Sequence, residues 1–139
     1  MTDLDAERFL AAQAPVYDTV VAELGAGRKP THWMWFVFPQ LAALGHSPTA
    51  QFYGLADLAA AEAYIAHPVL GPRLLACTEL VNGVEGRSAH AIFGTPDDLK
   101  FRSSLTLFQR AAPGEAAFPA ALGKYYDGVA DAATLRLIG

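Results

Sequence analysis

The chain has 139 residues, of which 53% are hydrophobic and 17% charged, and its formal net charge is −4. This composition excludes a disordered chain, and the lack of a basic surplus argues against nucleic acid as a partner. No apolar run reaches the roughly 18 residues of a membrane span, no signal peptide is recognisable, and a lone cysteine cannot form an internal disulfide. We therefore expect one cytoplasmic domain over residues 1–139, with no membrane association.

Helical periodicity, interrupted by glycine and proline, runs through most of the chain. The first helix is expected to start at a cap, Asp3 or Asp5, and to end at Ala12. Shorter helical pieces are expected after Ser47 and Ser88. The remaining apolar stripes predict helices over 17–24, 57–66, 68–81, 96–112, 118–126 and 132–138.

Six large apolar residues follow one another from Trp33 to Phe38, between His32 and Pro39-Gln40. Such a run must be buried, and we interpret it as a helix because no second strand is available to pair with it. The predicted fold is all-α, a compact orthogonal bundle of about eight short helices. His32 and Gln40 are then expected at the edges of a dry, aromatic region.

The helix that follows Thr95-Pro96 is the most informative for function. Thr95 is predicted to be its N-cap. Asp98 and Arg102 are predicted to form a surface pair. Arg28 and Lys29, in a loop far upstream, are candidates for binding an anion, but we expect them to be solvated charges near a helix C-terminus. A polar stripe lies beside the apolar face of this helix and consists of Asp97, Lys100, Ser103 and Ser104.

This stripe has two interpretations. Asp97 complements the helix N-terminus and Lys100 is a solvated boundary lysine, or the stripe is the rim of a ligand pocket. For a pocket, the candidate catalytic residues are His32, Asp97 and Lys100, with His32 alternatively a structural hydrogen-bonding residue. The candidate ligand-binding residues are Trp33, Trp35, Gln40, Tyr53, His67, Arg73, Ser103 and Ser104.

No motif predicts a metal or a cofactor. The four histidines have no metal-binding spacing, and there is no glycine-rich phosphate loop or nucleophile elbow. Cys77 lies on the apolar stripe of a helix and is predicted to be a core residue.

Several motifs, in order over nearly the whole chain, resemble domain-of-unknown-function family 1810, whose members are often labelled "calpastatin". The resemblance implies a small all-α fold and no established activity. It rests on His32–Gln40, Gly45–Ser47, Tyr53, His67–Leu74, Ile92–Asp97, Lys100, Ser103–Phe108 and Tyr126–Asp131. A calpastatin-type inhibitor is a disordered, charge-rich chain, so this composition argues against that label.

Two functions are compatible with these observations. The first is an enzyme or binding protein for a small nucleotide- or ADP-ribose-like metabolite, held in an aromatic-walled pocket. The ADP-ribose class comes from a general likeness to small all-α domains of the NADAR type, which rests on no motif. The alternative is a non-enzymatic protein-interaction module whose aromatic run is purely structural core. The sequence leaves the oligomeric state open.

Overall fold

The computed structural model describes residues 4–139, which form an all-α fold without a β-strand in that range. Within residues 4–139 there are ten α-helices rather than about eight, because the pieces after Ser47 and Ser88 are separate helices of five residues each. The helices are α1 (Ala6–Gln13), α2 (Tyr17–Ala26), α3 (Met34–Val37), α4 (Pro48–Phe52), α5 (Leu58–Ala66), α6 (Leu70–Asn82), α7 (Ala89–Phe93), α8 (Asp97–Ala111), α9 (Ala117–Tyr126) and α10 (Ala132–Ile138), with a 3-10 helix over Ala42–Leu44. Within residues 4–139, none of these helices combines the length and apolar character needed to cross a membrane.

Polar side chains cap four of the helices, although of these only Ser47 was predicted to do so. Ser47, Asp57, Ser88 and Asp131 each accept a hydrogen bond from the backbone N–H three residues further on. Asp5 stands before α1 but makes no capping hydrogen bond, and Asp3 lies outside the described residues.

The predicted Thr95 cap is wrong. Pro96 occupies the N-cap position of α8 and makes no side-chain capping bond. The Thr95 hydroxyl lies 3.0 Å from His90 Nδ1 and 3.4 Å from Asp98 Oδ2 instead. Its hydroxyl therefore contacts two side chains and makes no hydrogen bond to a backbone N–H of the first turn of α8.

Helix α8 is the centre of the bundle and packs against α5, α7, α9 and α10. Its predicted apolar stripe is confirmed, since Phe101, Leu105 and Phe108 are at most 1% exposed. Cys77 on α6 is likewise in the core. Burial raises the pKa of the Cys77 thiol to about 11, so this side chain stays protonated and is not a nucleophile at neutral pH.

The aromatic run is helical, as expected, over Met34–Val37. Trp33, Met34, Val37 and Phe38 are buried. Trp35 and Phe36 are only partly buried, so the run presents one aromatic side at the edge of the core. This side is where the candidate site begins.

The chain between α3 and α5 forms a loop that is closed at its base, and we call it the 40–55 loop. Leu55 N donates to Gln40 O at 2.9 Å and Ala42 N donates to Leu55 O at 2.8 Å, which makes an isolated bridge between Leu41 and Leu55. Gly54 is required here because a Cβ at this position would overlap the backbone of Ala42. The loop therefore has a fixed base and carries the 3-10 helix and α4 on its far side.

Candidate functional site

A cavity of about 420 Å³ lies between the 40–55 loop, α8 and the start of α10. Its walls combine apolar side chains with cationic, anionic and neutral polar groups. The lining residues are Gln40, Leu44, His46, Ser47, Ala50, Pro96, Leu99, Lys100, Arg102, Ser103, Asp131 and Ala133. A pocket with apolar walls and a few convergent polar groups is typical of small-molecule sites.

Lys100 is the cation of this cavity that has the fewest partners. Its Nζ lies 3.7 Å from Asp97 Oδ1 and 5.4 Å from the centre of the Trp35 ring. The ammonium makes no hydrogen bond within residues 4–139, and the side chain is 21% exposed. Because Lys100 occupies the second turn of α8, its stem is held while its charge stays available to the cavity.

Behind Lys100 lies a second lysine that the sequence did not single out as a site residue. The expectation that Lys29 is solvated is wrong, since its side chain is 2% exposed and its Nζ lies 2.6 Å from Asp97 Oδ2. The ammonium also lies 5.0 Å from the centre of the buried Trp33 ring. Asp97 thus pairs with two ammonium groups. The triad of Lys29, Asp97 and Lys100 therefore has a net charge of +1.

Trp33, which lies beside this triad, is fixed from its other side by a carboxylate. Trp33 Nε1 donates to Glu23 Oε1 at 2.9 Å, and Thr31 Oγ1 donates to Glu23 Oε2 at 2.6 Å. Partial desolvation raises the pKa of Glu23, but these hydrogen bonds outweigh it and hold the pKa below its ordinary value. The loop between α2 and α3 is therefore tied down by charged groups at both ends.

Arg102 lines the cavity beside Lys100. The predicted pair between Arg102 and Asp98 does not form. The Nε of Arg102 donates to Val129 O at 2.8 Å and its guanidinium lies over the Tyr126 ring. Asp98 lies 3.4 Å from His90 Nδ1 instead. The α9–α10 connection binds the guanidinium because backbone carbonyls there accept hydrogen bonds from its planar set of N–H donors.

Some of the predicted site residues meet at this cavity. Gln40, Lys100 and Ser103 line it, Asp97 contacts Lys100, and Trp35 lies under the Lys100 ammonium. The hydroxyl of Ser103 donates to Leu99 O, which is part of its own helix. These five residues come from α3, from the segment that follows the aromatic run, and from α8.

The other predicted residues lie elsewhere. His32 is exposed and makes no hydrogen bond within the described chain, whereas Trp33 and Ser104 are at most 2% exposed. His67 Nδ1 accepts from the backbone N–H groups of Val69 and Leu70, next to the start of α6. Among the described residues, those that line the cavity include no Phe, Tyr or Trp, which differs from the expected aromatic walls.

Tyr53 and Arg73 belong to a separate polar and aromatic region. Tyr53 packs against Phe9 and Phe36 with ring centres 5.9 and 5.3 Å away. Arg73 Nη1 donates to Gln13 Oε1 at 3.2 Å, and its guanidinium lies over the Tyr17 ring. Both side chains thus connect helices of the bundle and do not contribute to the cavity.

Sequence reasoning missed four lining residues whose side chains are able to bind a ligand or transfer a proton: His46, Ser47, Arg102 and Asp131. Ser47 and Asp131 have a clear sequence signal, but that signal is for helix capping, and both do cap a helix. His46 has no sequence signal for a binding site other than being a histidine.

Within residues 4–139, no group of three or more His, Cys, Asp or Glu side chains is arranged to hold a metal ion.

Comparison with known proteins agrees with the resemblance noted in the motifs. No curated protein matches the chain. The crystal structure of the conserved hypothetical protein Rv1873 from Mycobacterium tuberculosis is similar, with 58% sequence identity and a TM-score of 0.96 over 97% of this chain and 96% of that chain. The model of the family described as "Protein of unknown function (DUF1810)" matches residues 3–138. Since this match covers nearly the whole sequence, the chain belongs to the DUF1810 family.

Proposed function

We propose that the cavity binds a small phosphate-bearing metabolite of the nucleotide- or ADP-ribose-like kind. The observation that carries this proposal is the Lys100 ammonium, which lines the cavity while its carboxylate partner is shared with Lys29. A partly buried cation without a hydrogen bond gains more from an anion than a solvated one does, because the local dielectric constant is lower than that of water.

The charges around the cavity favour an anion although the whole chain is acidic. Lys29, Lys100 and Arg102 contribute three positive charges, and Asp97 and Asp131 contribute two negative ones. The cavity therefore has a local excess of one positive charge in a chain whose net charge is −4. An excess of this sign attracts phosphate groups over short distances.

The size of the cavity limits the ligand. Small-molecule pockets usually measure about 300–1,000 Å³. A volume of about 420 Å³ lies near the lower end, so a mononucleotide or sugar phosphate fits better than a dinucleotide-sized molecule. ADP-ribose would be only partly enclosed.

The candidate residues take different roles in this proposal. Lys100 contacts the anion, Asp97 positions Lys100, and Gln40 and Ser103 belong to the wall. Trp35 reports on binding because its ring lies under the Lys100 ammonium. His32 has no role, since it is exposed and outside the lining.

The experiment is calorimetric titration with AMP, ADP-ribose, ribose 5-phosphate and inorganic phosphate. We expect at least one of the three organic phosphates to bind at micromolar to millimolar concentration, and Lys100→Gln to weaken this binding by about 10- to 100-fold. Arg110→Gln is the matched control. It removes an exposed positive charge from the same helix, about 15 Å along the axis from Lys100. No binding by any of the four, or equal losses in both variants, would refute the proposal.

The interaction-module alternative is favoured by two exposed apolar side chains beside Arg102. Leu99 is 58% exposed and lines the cavity, and Val129, whose carbonyl accepts from Arg102, is 55% exposed. In that case Leu99→Ser would abolish association with a protein partner in pull-down experiments and leave titrations with phosphates without signal. The phosphate-binding proposal expects the opposite pattern.

A further inference from the structure

We infer that the ligand of this cavity is a phosphorylated sugar, free or within a nucleotide, whose hydroxyl groups donate hydrogen bonds to Asp131. This inference rests on the proposed function and specifies its ligand class. It starts from a carboxylate that lines the same cavity as Lys100 and Arg102 but pairs with neither cation.

Asp131 is held in place by its own surroundings. Its Oδ2 accepts from Thr134 N at 2.9 Å and from Thr134 Oγ1 at 2.6 Å, and its backbone N–H donates to Thr106 Oγ1 at 2.9 Å. All hydrogen bonds to the carboxylate within the described chain fall on Oδ2. Oδ1 therefore keeps its full capacity to accept hydrogen bonds.

The opposite charges of this cavity are kept apart by separate partners. Lys100 rests against Asp97, and Arg102 is bound to the carbonyls of Val129 and Ala130. Neither cation comes within ion-pair distance of Asp131, although all three side chains line one volume. A site of this kind is complementary to a ligand with an anion at one end and hydrogen-bond donors at the other.

Hydroxyl groups suit the donor end better than an ammonium group. An ammonium beside Asp131 would share the cavity with two cations, and like charges in a partly desolvated space repel each other. The neighbouring wall also offers neutral partners, the Gln40 amide and the Ser47 hydroxyl. Ser47 Oγ accepts from Ala50 N, so its O–H remains free to donate to a sugar oxygen. A polyhydroxylated ring can use all of these groups at once.

The test compares three phosphates that differ only in what accompanies the anion: ribose 5-phosphate, phenyl phosphate and phosphoethanolamine. We expect the unmodified protein to prefer ribose 5-phosphate over each of the others by about tenfold or more. Asp131→Asn should reduce this preference to less than about threefold without weakening the binding of phenyl phosphate, since the change removes a negative charge from the cavity. Asparagine remains a good N-cap, so α10 is preserved.

Two controls keep the result interpretable. Asp127→Asn removes an exposed carboxylate on the same connection and should change nothing. Asp131→Ser retains a capping hydroxyl without a carboxylate and should repeat the Asp131→Asn result if that variant is unstable in thermal unfolding.

The outcomes separate this inference from the proposed function. Equal binding of ribose 5-phosphate and phenyl phosphate, or an unchanged preference in Asp131→Asn, overturns the sugar inference while phosphate binding stands. A preference for phosphoethanolamine also overturns it, because the carboxylate would then recognise an ammonium group. Failure of all three phosphates to bind overturns this inference, and the proposed function falls with it only if AMP, ADP-ribose and inorganic phosphate also fail to bind.

Discussion

The pair of Lys29 and Asp97 provides the sharpest test of how this structure is held together. The Lys29→Met variant keeps an unbranched apolar stem beside Trp33 and removes only the ammonium, which lies 2.6 Å from Asp97 Oδ2. Removing one partner of a buried ion pair usually costs about 3–5 kcal/mol, because the other charge stays behind without compensation.

Two features of the structure reduce this figure. The Asp97 side chain is 19% exposed, so water reaches it, and Lys100 Nζ remains 3.7 Å away as a second partner. We therefore expect Lys29→Met to lower the free energy of unfolding by about 2–3 kcal/mol. For a chain of 139 residues this corresponds to a fall of about 7–10 °C in melting temperature.

The assay is urea and thermal unfolding followed by circular dichroism, with Arg28→Met as the control. Arg28 is exposed and adjacent in sequence, so its loss should change stability by no more than about 0.5 kcal/mol. A double-mutant cycle with Asp97→Asn completes the test. If the pair is the cause, the double variant loses at least about 1 kcal/mol less than the sum of the single losses. Additive losses, or a Lys29→Met protein as stable as the Arg28→Met control, would refute this reasoning.

Three further predictions follow from the same structure. Glu23→Gln should weaken the pH dependence of the unfolding free energy in acid. The pKa of Glu23 in the folded protein lies below its ordinary value of 4.5, so its contribution to stability is present above that pH and is lost as the pH falls. Urea midpoints of both proteins between pH 3 and 7 would show this difference. Gly54→Ala should lower the unfolding free energy by about 2 kcal/mol or more, measured by urea unfolding, because its Cβ overlaps the Ala42 backbone, and full stability would contradict the closed base of the 40–55 loop. His32→Ala and Lys100→Ala should each cost less than about 1.5 kcal/mol, but only Lys100→Ala should lose phosphate binding in titrations; loss of binding in His32→Ala would place His32 in the site.

The helices and the core were largely predictable because their signals are local. The spacing of Phe101, Leu105 and Phe108 specifies one face of α8, and burial of that face needs no knowledge of its partners. Short caps such as Ser47 are equally local, since the hydroxyl and its acceptor are three residues apart. Thr95 shows the limit of this reasoning, because its hydroxyl contacts the side chains of His90 and Asp98 rather than a backbone N–H of the first turn of α8.

The site was predictable where it coincides with one face of α8 or with the aromatic run and the Pro39-Gln40 that follows it. Lys100 and Ser103 were found because they lie on the polar stripe of α8. The burial of Lys29 depends on Asp97, which is 68 residues away in sequence, and no periodicity encodes such a pair. His46 and Asp131 line the same cavity as Lys100 only because the 40–55 loop and α10 pack around α8. Contacts that arise from three distant segments leave no pattern in any one of them.

The closed base of the 40–55 loop has a consequence for how ligand preference can change over evolutionary time. Leu41 and Leu55 are buried and joined by backbone hydrogen bonds, so the base keeps its geometry whatever side chains the far part of the loop carries. That far part supplies one wall of the cavity, including Leu44, His46 and Ser47. Insertions and substitutions there alter the binding surface and leave the helical bundle undisturbed, because loop extensions cost little once the ends are fixed. Selection can thus act on ligand choice through this short segment separately from its action on the stability of the fold.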